Sequence, residues 1–193
     1  METVLLMSSI VLWLVVLGNL VLTFALIRRV NAGDGRAGQE LPSMGLEAGT
    51  EAPDFTAQML GGEQVTRATY LGRSVAFVFI STHCQPCREI LPEIGNLEPG
   101  AARAGVDIVL VSKDTQEATS AFVDEMQIHL PVLIAPFDSN PFMKEYKATV
   151  TPLYCLVDEQ GKVQSAGLPQ GGEWKALAES WSRQGLSLPA KRR

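Results

Sequence analysis

Cys84-Gln85-Pro86-Cys87 is the segment of this chain whose residue types and spacing can do chemistry. Two thiols spaced C-x-x-C near an α/β pattern form a pair that can close into a disulfide and reopen. The apolar run before it, Val75-Ala76-Phe77-Val78-Phe79-Ile80, reads as a buried strand, and Arg88-Glu89-Ile90-Leu91 behind it as the start of a helix. That places Cys84 at a helix N-terminus, where unpaired backbone N–H groups and the positive end of the helix dipole favour an anion. Its thiol is expected to ionise more readily than a free cysteine and to be the attacking sulfur. Cys87, one turn further along, is in reach to resolve a mixed disulfide. Pro86 lies in the first turn, where a missing N–H costs nothing.

A zinc half-site is the competing reading of the pair. Structural zinc takes four ligands, and beyond the pair the chain offers one more cysteine, Cys155, and two histidines, His83 and His129. No metal and no cofactor are expected. Cys155 sits in an apolar run and reads as a buried small hydrophobe. The net charge of −5, with no basic stripe, argues against nucleic acid as a partner.

The elements that must position the dithiol alternate along the chain. Phe55 to Leu60 and Glu63 to Thr66 flank Gly61-Gly62 as a hairpin. Ser74 to Ser81 is the buried strand before the dithiol helix, and Val106 to Ser112 is another. Asp114-Thr115-Gln116-Glu117 resembles a capping box opening a helix whose Ala118, Ala121 and Phe122 share a face. Pro131 to Ala135 reads as a short strand and Asn140 to Tyr146 as a short helix. Leu153 to Val157 and Lys162 to Ala166 straddle Asp158-Glu159-Gln160-Gly161, a turn joining a second hairpin. In the last helix Trp174, Leu177, Ala178 and Trp181 make one apolar stripe.

Val4 to Ile27 is almost wholly apolar, interrupted by Ser8, Ser9, Asn19 and Thr23 but by no charge. Its roughly 24 residues give about 36 Å of helix, enough to cross a hydrocarbon core of about 30 Å with some tilt. A cleaved signal peptide is the alternative, with Val30-Asn31-Ala32 as its small-residue site. The run exceeds a signal core of about 7–15 residues, and no basic segment precedes it. Residues 1–29 are therefore expected to be a transmembrane anchor in the lipid bilayer and 30–49 a glycine-rich flexible tether. Residues 50–187 are expected to form one folded domain, and 188–193 a basic tail.

The succession of strand, dithiol helix, strand–helix crossover, closing hairpin and terminal helix resembles the thioredoxin fold, an α/β fold with a central mixed sheet flanked by helices. Cys84-Gln85-Pro86-Cys87-Arg88 is similar to the C-x-P-C-R motif of membrane-tethered thioredoxin-like thiol:disulfide oxidoreductases of the redoxin family. Val150-Thr151-Pro152 resembles that superfamily's cis-proline signature, and Ala52-Pro53-Asp54-Phe55 and Pro92 also look like these proteins. The overall plan is similar to the family of methylamine-utilisation D-type accessory proteins, thought to help form disulfides in a partner enzyme. The resemblance implies thiol:disulfide exchange with protein partners, with Cys84 and Cys87 catalytic and Thr151-Pro152 holding the substrate. A cis Thr151–Pro152 bond would turn the backbone toward the dithiol and offer the Thr151 N–H and C=O to an extended partner strand. A trans proline at a strand entrance is the alternative.

The chain departs from these relatives at two positions. His83 stands where they usually have tryptophan, and its charge would further stabilise the Cys84 thiolate in a pH-dependent way. Ile90 stands where they often have glutamate, with Glu89 one place early, so neither Glu89 nor Glu93 inherits a proton-handling role by position.

Three functions compete: a thiol:disulfide oxidoreductase acting on proteins, a peroxiredoxin-like thiol peroxidase, and a non-enzymatic copper or haem-maturation scaffold using Cys84, Cys87 and His83. A peroxidatic cysteine in the P-x-x-x-T-x-x-C setting would need proline at Phe77 and threonine at Ser81, and Cys87 would be surplus. Both facts favour the oxidoreductase. Arg28 and Arg29 follow the apolar span while only Glu2 and the amino group precede it, which by the positive-inside rule keeps the domain cytoplasmic. The resemblance implies the extracytoplasmic face, and that is the expectation adopted. A dithiol there needs reducing equivalents passed across the membrane, or an oxidant, so a membrane or soluble redox partner is expected.

The full chain is expected to fractionate with membranes and to resist high-salt and carbonate extraction, because apolar transfer rather than charge holds a spanning helix. Release by carbonate, or a mature N-terminus near Gly33, would identify a cleaved leader instead.

Overall fold

The computed structural model describes Met7, residues 12–23 and residues 44–186. These belong to two compact units that divide after Leu41. In the first, residues 12–23 are α-helical with Leu12, Trp13, Leu17 and Leu20 exposed. Thr23 donates its hydroxyl to the Asn19 carbonyl one turn back (2.8 Å). Among the described residues no helix is long and apolar enough to cross a membrane. The rest of the expected anchor, residues 30–43 of the expected tether and the tail 188–193 lie outside the described residues.

The second unit runs β1 (Thr56–Met59), β2 (Gln64–Thr66), a 3-10 turn (Arg67–Tyr70), β3 (Ser74–Ile80), α1 (Gln85–Arg103), β4 (Val106–Ser112) and α2 (Gln116–Met126). It continues through β5 (Val132–Ile134), the one-turn α3 (Phe142–Glu145), β6 (Leu153–Val157), β7 (Val163–Gly167) and α4 (Gly172–Leu186). The strands form one mixed seven-stranded sheet in the order β2-β1-β5-β4-β3-β6-β7. β3, β4 and β5 are parallel and are joined through α1 and α2, whereas β6 runs antiparallel to β3. The register pairs Ile80 with Ser112 and Phe79 with Leu153. The C-terminal ends of β3 and β4 and the start of β6 therefore meet at one end of the sheet, and the loops that follow or precede them share that end.

Period-two alternation divides the core between the two faces of the sheet. Ala76, Val78 and Ile80 of β3 join Ile90, Leu91 and Ile94 of α1, Phe122 of α2 and Trp174 and Trp181 of α4 on one face. Val75, Phe77 and Phe79 face the opposite way, into a cluster with Phe55, Tyr70, Phe142 and Tyr146. There Phe55 stacks on Phe142 at 3.8 Å and meets Phe77 edge-on at 5.3 Å, each such pair adding about 0.5–1.5 kcal/mol beyond its burial. β3 is thus clamped from both faces, which fixes the strand that ends at the dithiol.

Two sequence expectations need correction. Asp114 does not cap α2: Thr115 is the N-cap, accepting the Ala118 N–H at 3.3 Å, because the Asp114 carboxylate is drawn across to the loop after β3. Ala121 is exposed, and α2 turns Thr119 and Phe122 inward instead. The last residues of the expected tether are seated on the domain: Leu46 packs against the core and the Gly49 N–H donates to Val163 O at 2.7 Å.

α1 and α4 approach so closely at Gly100 that an added Cβ would lie 2.8 Å from the Trp181 carbonyl oxygen. Gly100→Ala is expected to lower stability by about 1–3 kcal/mol as the helices are forced apart, more than the roughly 1 kcal/mol gained in helix propensity. Urea unfolding measures the net effect, and a raised midpoint would contradict the close contact.

Candidate active site

The site is built on the first turn of α1. Cys84 has extended backbone angles (φ −91°, ψ 109°) and caps the helix, its Sγ accepting the Cys87 N–H at 3.2 Å. A sulfur thus fills the place a side-chain oxygen takes at most N-caps, with Pro86 in the turn as expected. Cys84 and Cys87 are joined as a disulfide, their Cα atoms 5.2 Å apart. Cys84 is half-buried, whereas Cys87 is 0% exposed among the core residues of α1. Of the two sulfurs, the one on Cys84 is therefore the more accessible to solvent.

The loop before β6 completes the site. The Thr151–Pro152 bond is cis, and Cys84 Sγ lies 3.3 Å from the Thr151 carbonyl oxygen. In the dithiol state that oxygen can accept the Cys84 S–H. Pro152 is buried beneath, while Val150 is exposed. Leu168 after β7 and Phe137 after β5 are exposed at the same end of the sheet.

A polar network that the sequence reading missed holds the approach to Cys84. Asp114 Oδ2 accepts the Thr82 N–H at 2.6 Å and the Ser81 hydroxyl at 3.0 Å. The Ser81 oxygen in turn accepts the His83 N–H at 3.4 Å, and the Ser81 carbonyl accepts the Cys84 N–H at 3.2 Å. Behind Asp114, Ser112 Oγ accepts its N–H at 3.3 Å and pairs with Thr119 Oγ1 at 2.7 Å, both side chains fully buried. The signal available in the sequence was that Ser81 and Asp114 each stand at or just past the end of a buried apolar run. His83 itself is exposed.

Arg88 anchors the dithiol turn to α2. Its guanidinium forks onto Glu125 at 2.7 and 3.1 Å and stacks over Phe122 at 4.8 Å. The guanidinium holds the Glu125 carboxyl below the usual carboxylate range, so the cation nearest Cys87 in sequence is already paired. Glu89 is exposed and accepts from Gln85 Nε2 at 3.1 Å. Among the described residues no group of three or more His, Cys, Asp or Glu is disposed to hold a metal ion.

Comparison with known proteins gives three kinds of match. Residues 48–166 match the AhpC/TSA family. The thiol-disulfide oxidoreductase ResA of Bacillus thuringiensis subsp. konkukian (strain 97-27) is 31% identical over 119 residues, 61% of this chain and 68% of the relative. The thioredoxin-like protein YneN of Bacillus subtilis (strain 168) is 30% identical over 124 residues, 63% of this chain and 71% of the relative. In three dimensions, the solution structure of a thiol:disulfide interchange protein from Bacteroides sp. superposes with a TM-score of 0.61 at 23% identity, covering 76% of this chain and 94% of that one. That likeness establishes the thioredoxin-like fold.

The third cysteine takes no part. Cys155 is 0% exposed on β6, paired with Phe77 on the aromatic face, and burial pushes its thiol up to about 12. Its folded pKa lies above the unfolded value of about 8.5, so the unfolded chain releases this proton first. The resulting stability is complete below about pH 8.5 and is lost as pH rises toward the folded value. Native, reduced protein at pH 8 is expected to be alkylated by iodoacetamide at Cys84 and at Cys155 only after unfolding. Mass spectrometry finding Cys155 modified in the folded protein would contradict its burial.

Proposed function

The chain belongs to the AhpC/TSA family and is a thiol–disulfide oxidoreductase with Cys84 and Cys87 as its redox pair, and from that premise we propose how, where and on what it acts. The half-exposed Cys84 sulfur at the α1 N-terminus, 3.3 Å from the Thr151 carbonyl, is the observation that carries the mechanism. As a reductant, the Cys84 thiolate attacks one sulfur of a partner disulfide: a Cys84–partner bond forms, the partner S–S bond breaks, and the partner's other sulfur leaves as thiolate. Cys87 then loses its proton, which the departed partner thiolate takes up, and attacks Cys84: the Cys84–partner bond breaks, the Cys84–Cys87 disulfide is restored and the partner's second sulfur leaves as thiolate. Two electrons pass from the dithiol to the partner, and the reverse sequence oxidises a partner dithiol.

The substrates on this reading are proteins. An extended segment carrying a cystine would pair with the Thr151 backbone while its apolar side chains meet Val150, Leu168 and Phe137. His83, exposed and adjacent to Cys84 in the chain, is assigned a tuning role toward that sulfur. The uncharged stretch from Val4 to Ile27 supports a single-pass membrane tether, with the redox domain on the extracytoplasmic side. The combination of tether and redoxin domain supports a finer placement beside the methylamine-utilisation D-type accessory proteins, serving the disulfides of a partner enzyme.

A peroxidase reading fits less well. The position it requires for proline is Phe77, 1% exposed in the aromatic core, and Ser81 directs its hydroxyl to Asp114.

The full chain is expected to reduce insulin disulfides or reoxidise dithiols, and Cys84→Ser to abolish this activity. Cys87→Ser is expected to accumulate a mixed disulfide with partner proteins on a non-reducing gel, and in intact cells its Cys84, freed by a membrane-impermeant reductant, should react with a membrane-impermeant maleimide. Full turnover by Cys84→Ser would overturn the mechanism, and protection of Cys84 until cells are lysed would overturn the extracytoplasmic placement.

A further inference from the structure

We propose that Asp114 is a positioning residue for catalysis, fixing the turn that aims Cys84 at a partner disulfide; this rests on the oxidoreductase reading above. Cys84 has two backbone supports of its own, the Ser81 carbonyl before it and the helix it caps behind it. The helix side is set by regular geometry, but residues 81–83 belong to no element and need an external hold. One carboxylate oxygen supplies it, taking the Thr82 N–H at 2.6 Å and the Ser81 hydroxyl at 3.0 Å from across the sheet end. Such short hydrogen bonds to a carboxylate are charge-assisted and about twice as strong as neutral ones.

The hold is itself rigid. Asp114 lies two residues past the end of β4, and the buried Ser112 hydroxyl, paired with that of Thr119, accepts its N–H from behind. Ser81 and Thr82 are 3% and 6% exposed, so water does not compete well for these bonds. Asp114 stands 30 places after Cys84 in the sequence, and its carboxylate bonds to Ser81 and Thr82 rather than to either sulfur. Its effect is therefore on aim rather than on bond making. Attack on a protein disulfide requires Cys84 Sγ to stay in register with the Thr151 carbonyl while the partner backbone is held there. Attack on a small disulfide needs no such register, because the small molecule can approach the half-exposed sulfur from many directions.

The two kinds of substrate separate a positioning role from a merely structural one. The full chain in detergent is assayed for reduction of insulin and of a small aromatic disulfide, with thermal unfolding measured in parallel. For Asp114→Ala the ratio of the insulin rate to the small-disulfide rate is expected to fall about tenfold, in line with the rate loss that small misplacements of a reacting group produce. Asp114→Asn keeps an acceptor oxygen for the Thr82 N–H and is expected to recover most of the ratio. An unchanged ratio in Asp114→Ala, whatever its stability, would overturn the proposal, as would an equal fall in both variants. A wild-type chain that reduces neither substrate would instead overturn the oxidoreductase mechanism itself.

Discussion

The structure depends on one interaction, the hydrogen bond from the Cys87 N–H to the Cys84 sulfur at the start of α1. It makes Cys84 part of the helix cap, so the helix cannot form as observed without placing that sulfur at its positive end. The magnitudes are modest and sufficient. A helix terminus favours an adjacent partly buried charge by up to about 2 kcal/mol, and a hydrogen bond to a charged group is worth about 1.5–3 kcal/mol. Some of that bond already exists with the neutral thiol, and each pKa unit corresponds to about 1.4 kcal/mol. The net effect on Cys84 is to hold its thiol below the free-cysteine value. Arg88 adds little, since Glu125 neutralises it.

Everything else serves to hold that turn still. The aromatic cluster on one face and the α1–α4 layer on the other leave β3 with buried neighbours on both sides. The Arg88 fork ties the dithiol turn to α2, and the close contact at Gly100 ties the far end of α1 to α4. Parallel pairing of β3 with β4 then delivers Asp114 to the turn, and antiparallel β6 delivers Thr151. The site is assembled from three loops that are distant in sequence and share one end of one sheet.

What could be read from the sequence follows from this division. The dithiol, its strand and the first turn of its helix are local, and apolar run length, C-x-x-C spacing and the position of Pro86 sufficed to place them. The strand from Val106 to Ser112 and the stripe of Trp174 and Trp181 were legible for the same reason. Thr151-Pro152 was found only through family resemblance, because nothing local says that a proline 65 places beyond Cys87 by its number returns to the sulfur. Asp114 was misread outright. Its local pattern is a plausible helix cap, but the neighbouring strand end offers a buried N–H and a hydroxyl, and these win because leaving them unpaired costs more than handing the cap to Thr115.

The most direct test is the acidity of Cys84, followed by thiolate absorbance in the reduced Cys87→Ala chain, in which the helix N–H at position 87 is retained. The same titration of the His83→Trp version of that chain separates the imidazole from the helix end. A midpoint clearly below the free-thiol value of about 8.5 is the result this mechanism requires. A midpoint at or above about 8.5 would contradict it, because the α1 terminus would then not be activating the sulfur it holds.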